Sequence, residues 1–267
     1  MKKIFSFLAA LTVVTVLGSQ ASADIVIASY DFGGLGTADI NFNTGANPSP
    51  NISADFAAAG ITSTITDDPT APLLRRLRDN NGSTDGTFGD GMTFNTTLGT
   101  PASDGQLQFL NGNPNAAAGI PGAEDANLFL NVTNGDATQS LTFDELLFDT
   151  VVQSVGLANQ THNAYSVTFE NTSTSSTTGV LGFATDLPSG TANANIDLTG
   201  SGIELLAGES GRFVINFSGA ATTSNSSGSV DNIAVTGQFV DAAGVPEPSS
   251  LALLGLGAIG LVSRRRR

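Results

Sequence analysis

One loop of the chain carries oxygen-bearing side chains at alternate positions, a pattern that suits hard cations. Within residues 79–90 the oxygens recur every second residue and an aspartate closes the run: Asp79, Asn81, Ser83, Asp85 and Asp90. Calcium takes six to eight oxygen ligands from flexible loops, so calcium is the candidate cofactor here. The run departs from an EF-hand, because Thr84 stands where that loop needs glycine. A solvated, turn-rich loop explains the same residues and is the favoured interpretation.

Catalytic groups are sparse in this sequence. The single histidine, His162, lies in a polar turn and no G-x-S-x-G elbow accompanies it, so we expect a loop histidine. Glycoside hydrolysis needs two carboxyl groups facing each other across a bond. Neighbouring acids such as Asp144 and Glu145 point to opposite faces of a strand, so they do not form such a pair. We therefore predict no catalytic residues and no enzymatic activity.

The charge distribution excludes nucleic acids as partners. Six of the ten basic residues lie at the two ends, leaving four arginines against all 24 acids between them, a net charge of −20. That field repels a phosphate backbone. Arg75, Arg76 and Arg78 cluster within the acidic stretch; pairing with nearby acids is favoured over a site for an anionic polysaccharide. The absence of cysteine removes disulfides and thiolate metal sites.

The N-terminus has the three parts of a secretory signal peptide. Lys2 and Lys3 precede the apolar stretch 4–17, and small residues follow in an A-x-A arrangement at Ala21 and Ala23. These two alanines suit the narrow pockets of signal peptidase, so residues 1–23 are predicted to be a cleaved helix and Asp24 the mature N-terminus. The protein is therefore expected to be exported.

The C-terminus combines an extended motif, an apolar run and a basic cluster. Val245, Pro246, Glu247 and Pro248 precede the uncharged residues 251–262, and the chain ends at Arg264, Arg265, Arg266 and Arg267. The prolines keep the first part extended. The apolar run is short for a transmembrane helix, although a bilayer can thin to match it. The arginines are expected to stay in the cytoplasm as an anchor.

This tripartite tail resembles the PEP-CTERM sorting signal of bacterial exported proteins, over residues 245–267 only. The resemblance implies that an exosortase recognises and removes the tail. It further implies a protein anchored transiently in the membrane and then displayed at the cell surface or in the extracellular matrix, often beside exopolysaccharide.

The body between the ends predicts short strands with one buried and one wet face. Apolar residues alternate with polar ones in the runs 25–30, 128–132, 141–148, 165–169, 213–217 and 233–239. Turn residues such as Asn134-Gly135 separate these runs. Residues 33–60 and 78–122 are expected to be long loops with isolated short strands. The fold class is therefore all-β, an antiparallel β-sandwich flanked by the two terminal helices.

The body also resembles a jelly-roll β-sandwich and is similar to carbohydrate-binding modules, on Ser29 to Phe32, Ser140 to Phe143 and Val230 to Gly237. In such folds the first and last strands pair. Asp231-Asn232 is expected to form a turn just before the closing strand.

Three regions are thus predicted: a signal peptide at 1–23, a sandwich domain at 24–244 and a sorting signal at 245–267. The expected function is a non-enzymatic structural or adhesive role, with signal peptidase, exosortase and exopolysaccharide as partners. The alternative is a lectin-like carbohydrate-binding module, for which Tyr30 and Tyr165 are the candidate sugar-stacking residues.

Overall fold

A computed structural model describes residues 25–32, 40–41, 51–68, 74–79, 88, 105–111, 126–152, 162–187, 190–218 and 226–241. The signal peptide, the sorting tail and both predicted terminal helices lie outside these ranges. None of the described segments forms a helix of the length and apolarity that crossing a membrane requires.

The described residues form sixteen strands: β1 Ile25–Tyr30, β2 Ile40–Asn41, β3 Asn51–Ser53, β4 Phe56–Ala57, β5 Ile61–Asp67, β6 Leu74–Asp79, β7 Gly105–Asn111, β8 Ala126–Asn134, β9 Gln139–Val152, β10 Ala164–Asn171, β11 Ser176–Thr177, β12 Gly182–Ala184, β13 Gly190–Asp197, β14 Glu204–Leu205, β15 Ser210–Ser218 and β16 Ser226–Asp241. The six alternating runs of the sequence fall within β1, β8, β9, β10, β15 and β16, which confirms them as strands. The predicted wet face is present on β10 and β15, but it is wrong for residues 27–30, 146–150 and 229–237, which are buried on both faces.

The strands form two antiparallel sheets. The nine-stranded sheet has the central order β13-β9-β16-β7-β6-β2, with β1, β4 and β14 attached at its sides. The seven-stranded sheet has the order β11-β10-β15-β8-β5-β3, and β12 lies beside β10. The all-β antiparallel fold class is confirmed.

The first and last described strands pair, as expected for the jelly-roll layout. β1 runs antiparallel to β16, with Tyr30 opposite Ile233 and Ile25 opposite Gly237. A Cβ atom at Gly237 would collide with the carbonyl oxygen of Thr142 on β9, so glycine allows these two backbones to approach at an irregular point of the ladder.

The core lies between the two sheets and follows the period of two. On β15 every second residue from Gly211 to Phe217 is buried, and β10 alternates in the same way. Phe213 packs edge-on against Phe143 of the opposite sheet, with ring centroids 5.2 Å apart. The Tyr30 hydroxyl lies 2.8 Å from the Ser63 hydroxyl, which forms a buried polar link between the sheets. Because the inward side chains form the core, a binding or catalytic site must be sought among the outward ones.

Candidate functional site

The outward side chains of the seven-stranded sheet form a partly solvent-exposed surface, here called the open face. It consists mainly of hydroxyl and amide residues: Thr64, Thr66, Asn127, Phe129, Asn131, Ser166, Thr168, Glu170, Arg212, Val214 and Asn216. Most are half-buried, as expected for side chains that stand side by side on a solvated sheet. Neighbouring strands hold these side chains in register, so rows of polar groups cross the sheet.

One of these rows, here called the amide row, contains Ser166, Asn216, Asn127 and Asp68. Ser166 is opposite Asn216 and Asn216 is opposite Asn127, on three adjacent strands. The Asn216 amide nitrogen donates to the Asn127 side-chain oxygen at 2.8 Å. The Asn127 amide nitrogen donates in turn to the Asp68 carboxylate at 3.1 Å. These bonds fix the orientation of both amides.

The amide row ends at Phe183 on β12, opposite Ser166. Phe183 is 70% exposed and is the one exposed aromatic among the side chains that the structure describes. It borders a shallow depression of about 490 Å³, here called the Phe183 cleft. The lining is mostly small or apolar and includes Ala164, Ser166 and Ser218. An exposed aromatic ring beside a small-residue floor is suited to contact with a flat apolar surface.

A second aromatic residue on the open face is shielded. The Arg212 guanidinium lies 3.9 Å from the centroid of the Phe129 ring, and its Nε donates to Glu170 at 2.6 Å. Phe129 is consequently only 6% exposed. Stacking with a ligand on this face is therefore concentrated at Phe183.

The outward side chains at the centre of the nine-stranded sheet are fully enclosed and form what is here called the buried face: Leu147, Asp149, Ser229, Asp231 and Ala234. Asp149 of β9 is directly opposite Asp231 of β16, and both are 0% exposed. The Asn232 amide nitrogen donates to Asp149 at 3.1 Å, and the Asn232 backbone N–H donates to Asp231 at 2.8 Å. These bonds bring one amide and two carboxylates together inside the protein.

The prediction that Asp231-Asn232 forms a turn before the closing strand is wrong. Both residues lie inside β16, at a register shift between Asp231 and Ala234. Asn232 has a positive φ of 46°, a left-handed conformation that asparagine tolerates better than most residues. A bulge and a turn use the same residue types, so the sequence does not distinguish them at Asp231-Asn232.

Of the predicted calcium loop, only Asp79 and Phe88 lie within the described residues. Asp79 is the last residue of β6, whereas Asn81, Ser83, Asp85 and Asp90 lie outside the described residues. Phe88 is 2% exposed and packs with Leu147 and Ala234 on the buried face. Within the described ranges, no three histidine or acidic side chains lie close enough to hold a metal ion. Calcium binding by this loop stays a prediction.

Both tyrosines proposed as sugar-stacking residues are buried, so that prediction is wrong. Tyr30 is 0% and Tyr165 is 9% exposed, and each contributes to the core between the sheets. Burial raises the pKa of both phenols. His162 lies outside any strand, as expected, although it is buried just before β10.

Two aspartates have a lowered pKa because their carboxylates close turns. Asp136 accepts hydrogen bonds from the backbone N–H groups of Thr138 and Gln139, at 2.7 and 2.8 Å. Asp197 accepts from the Thr199 hydroxyl at 2.5 Å and from its backbone N–H at 2.8 Å. Both act on the fold rather than on a binding surface.

The sorting residues Val245 to Pro248 and Arg264 to Arg267, and the peptidase residues Ala21 and Ala23, lie outside the described ranges. The family model of the PEP-CTERM protein-sorting motif matches residues 244–267, which include the first two groups. The motif marks the chain as an exported protein that is processed by an exosortase and sorted to the cell surface.

Several solved structures are similar to this chain at a sequence identity of 10–11%. An arabinose-bound GH51 α-L-arabinofuranosidase has a TM-score of 0.32 and 11% identity; the match covers 79% of this chain and only 27% of that one. A cyclase from Fischerella sp. TAU, solved with 4-(1H-indol-3-yl)butan-2-one, has a TM-score of 0.35 and 10% identity, covering 82% of this chain and all of that one.

The family 11 carbohydrate-binding module of Clostridium thermocellum, in complex with a β-1,3-1,4-mixed-linked tetrasaccharide, has a TM-score of 0.27 and 11% identity. That match covers 78% of this chain and 95% of the module. No curated protein matches the chain.

Proposed function

We propose that this chain is a non-enzymatic structural or adhesive protein of the cell surface or extracellular matrix, associated with exopolysaccharide. The observation that carries the proposal is the sorting motif at residues 244–267. The strongly acidic composition supports it, because such a surface stays soluble outside the cell and attracts cations. Delivery begins with cleavage after Ala23 and ends with release from a transient C-terminal anchor.

Replacing Pro246, Glu247 and Pro248 together by alanine tests the delivery route. We expect the variant to accumulate as a larger precursor in the membrane fraction, because the exosortase no longer recognises the tail. Immunoblots of fractionated cells, with surface labelling of intact cells, measure both effects. Unchanged maturation and surface display of this variant would contradict the proposal.

A second proline pair provides the matched control. Pro48 and Pro50 are also separated by one residue, but they lie in the predicted body. Replacing both by alanine removes a similar P-x-P spacing without touching the tail. This control is expected to mature and reach the surface as the wild type does.

A carbohydrate-binding module is the second candidate function. The open face favours it, because an exposed aromatic ring adjoins a row of fixed amide and hydroxyl groups. Sugars present an apolar ring face and a rim of hydroxyls, so both parts of this surface have a complementary group to contact. The two candidates are compatible, since a glycan-binding body would hold a sorted protein in an exopolysaccharide matrix.

A further inference from the structure

We propose that the Phe183 cleft and the amide row together form one binding site for an uncharged oligosaccharide. The inference rests on the carbohydrate-binding role named above as the second candidate. It adds the location of the site, the class of glycan and the residues that bind it.

Phe183 supplies the apolar contact. Its ring is 70% exposed, so this position forgoes the stabilisation that core phenylalanines obtain by burial. The lining residues Ala164, Ser166 and Ser218 have short side chains, which leave room for a flat sugar ring beside the Phe183 ring. Stacking of a pyranose ring on this phenyl group buries apolar surface on both partners.

The amide row supplies the polar contacts in a fixed arrangement. Each asparagine side chain has two N–H donors and a carbonyl oxygen with two acceptor sites. The bond from Asn216 to Asn127 and the bond from Asn127 to Asp68 use part of this capacity and hold both amides in place. Groups that are already oriented lose less entropy when a ligand binds, so the row is organised before a sugar arrives.

The dimensions of the site select an oligosaccharide rather than a single sugar. The row begins at Phe183 on β12, crosses β10, β15 and β8 in register, and ends at Asp68, the residue that follows β5. Adjacent strands lie about 4.8 Å apart, so the row is about 19 Å long. Several consecutive sugar units are needed to cover it.

The charge of the protein selects an uncharged glycan. The chain carries a net charge of −14, Asp68 ends the amide row, and the Arg212 guanidinium on this face is already paired with Glu170. A uronate or sulfated polysaccharide would meet repulsion here. A carboxylate such as Asp68 instead accepts hydrogen bonds well from neutral hydroxyl groups.

Native affinity electrophoresis of the purified full-length chain tests the site. Gels contain one soluble polysaccharide each: mixed-linkage β-glucan, galactomannan or dextran as uncharged probes, and alginate as the anionic probe. We expect retardation by at least one uncharged probe and none by alginate. Phe183→Ala should weaken this binding about tenfold or more, since a central aromatic anchor is lost. Asn216→Ala should weaken it about threefold to tenfold.

Two matched controls separate a specific site from a general surface effect. Leu206→Ala removes another exposed apolar side chain, and Asn131→Ala removes another open-face amide outside the amide row. Both are expected to bind as the wild type does. Circular dichroism and thermal melting check that all four variants remain folded.

Each contrary result has a separate meaning. If the wild type binds an uncharged glycan and Phe183→Ala binds equally well, the proposed site is wrong while the carbohydrate-binding role survives. If alginate alone retards the wild type, the site for an uncharged glycan is wrong while a carbohydrate-binding role survives. If none of the probes retards the wild type, both the site and that role are overturned. Neither result affects export and sorting through the C-terminal motif.

Discussion

The two outer faces of the sandwich use similar residue types in opposite ways. On the open face, Asp68 accepts a hydrogen bond from Asn127 at 3.1 Å and both residues are half-buried. On the buried face, Asp149 accepts one from Asn232 at the same 3.1 Å, and both are 0% exposed. The same carboxylate–amide pair thus occurs once beside solvent and once in the interior.

This contrast indicates where stability and binding are located. A buried carboxylate must be compensated by hydrogen bonds, because an unsatisfied buried carboxylate lowers the free energy of unfolding. Such groups are structural and are not available to a ligand. The open-face side chains remain in contact with solvent, so we expect them to contribute less to the free energy of unfolding and to be accessible to a ligand.

The largest difference is expected between the apolar residues of the two faces. Leu147→Ala leaves a cavity beside Phe88 and Ala234, and should lower the free energy of unfolding by about 2–5 kcal/mol. Val214→Ala on the open face leaves no enclosed cavity and should cost less than about 1 kcal/mol. Urea denaturation followed by circular dichroism measures both, and equal costs would contradict the division into two faces.

The matched carboxylates test the comparison more sharply. Asp149→Ala leaves the buried Asn232 amide without this acceptor and should cost about 1–3 kcal/mol. Asp68→Ala removes the equivalent bond where water can replace it, so we expect about 0.5 kcal/mol or less. If the two variants unfold at the same urea concentration, burial does not distinguish these pairs.

The sequence predicts the inward residues better than the outward ones. Alternation on β8, β10 and β15 places their core positions correctly, because burial of one face imposes a period of two. The same alternation marks Asn127 and Asn216 as outward. It does not show that β15 lies beside β8, since strand neighbours come from long-range pairing. The amide row is therefore invisible in the sequence.

The aromatic residues show a second limit. Tyr30 and Tyr165 are the stacking candidates that the sequence offers, yet both lie in the core. Phe183 stands in the short strand β12, where Gly182 faces Ile196 and the phenylalanine takes the exposed position. Three residues are too few for a periodic pattern to indicate which of them is outward.

The smallest effect is expected where the chain passes from one sheet to the other. β8 belongs to the seven-stranded sheet and β9 to the nine-stranded one, and Asp136 closes the turn between them. Hydrogen bonds from the backbone N–H groups of Thr138 and then Gln139 hold the pKa of Asp136 below the ordinary value of an aspartate. Since the folded state holds the ionised form, this contribution to stability is present above about pH 4 and is lost as the pH falls through the lowered pKa.

Asp136→Asn should therefore melt at a lower temperature than the wild type at neutral pH, with a difference that shrinks as the pH drops below about 4. A constant difference for Asp136→Asn across this range would show that the turn depends on the shape of the side chain rather than on its charge. The turn that joins the two sheets would then be stabilised without a contribution from the charge of Asp136.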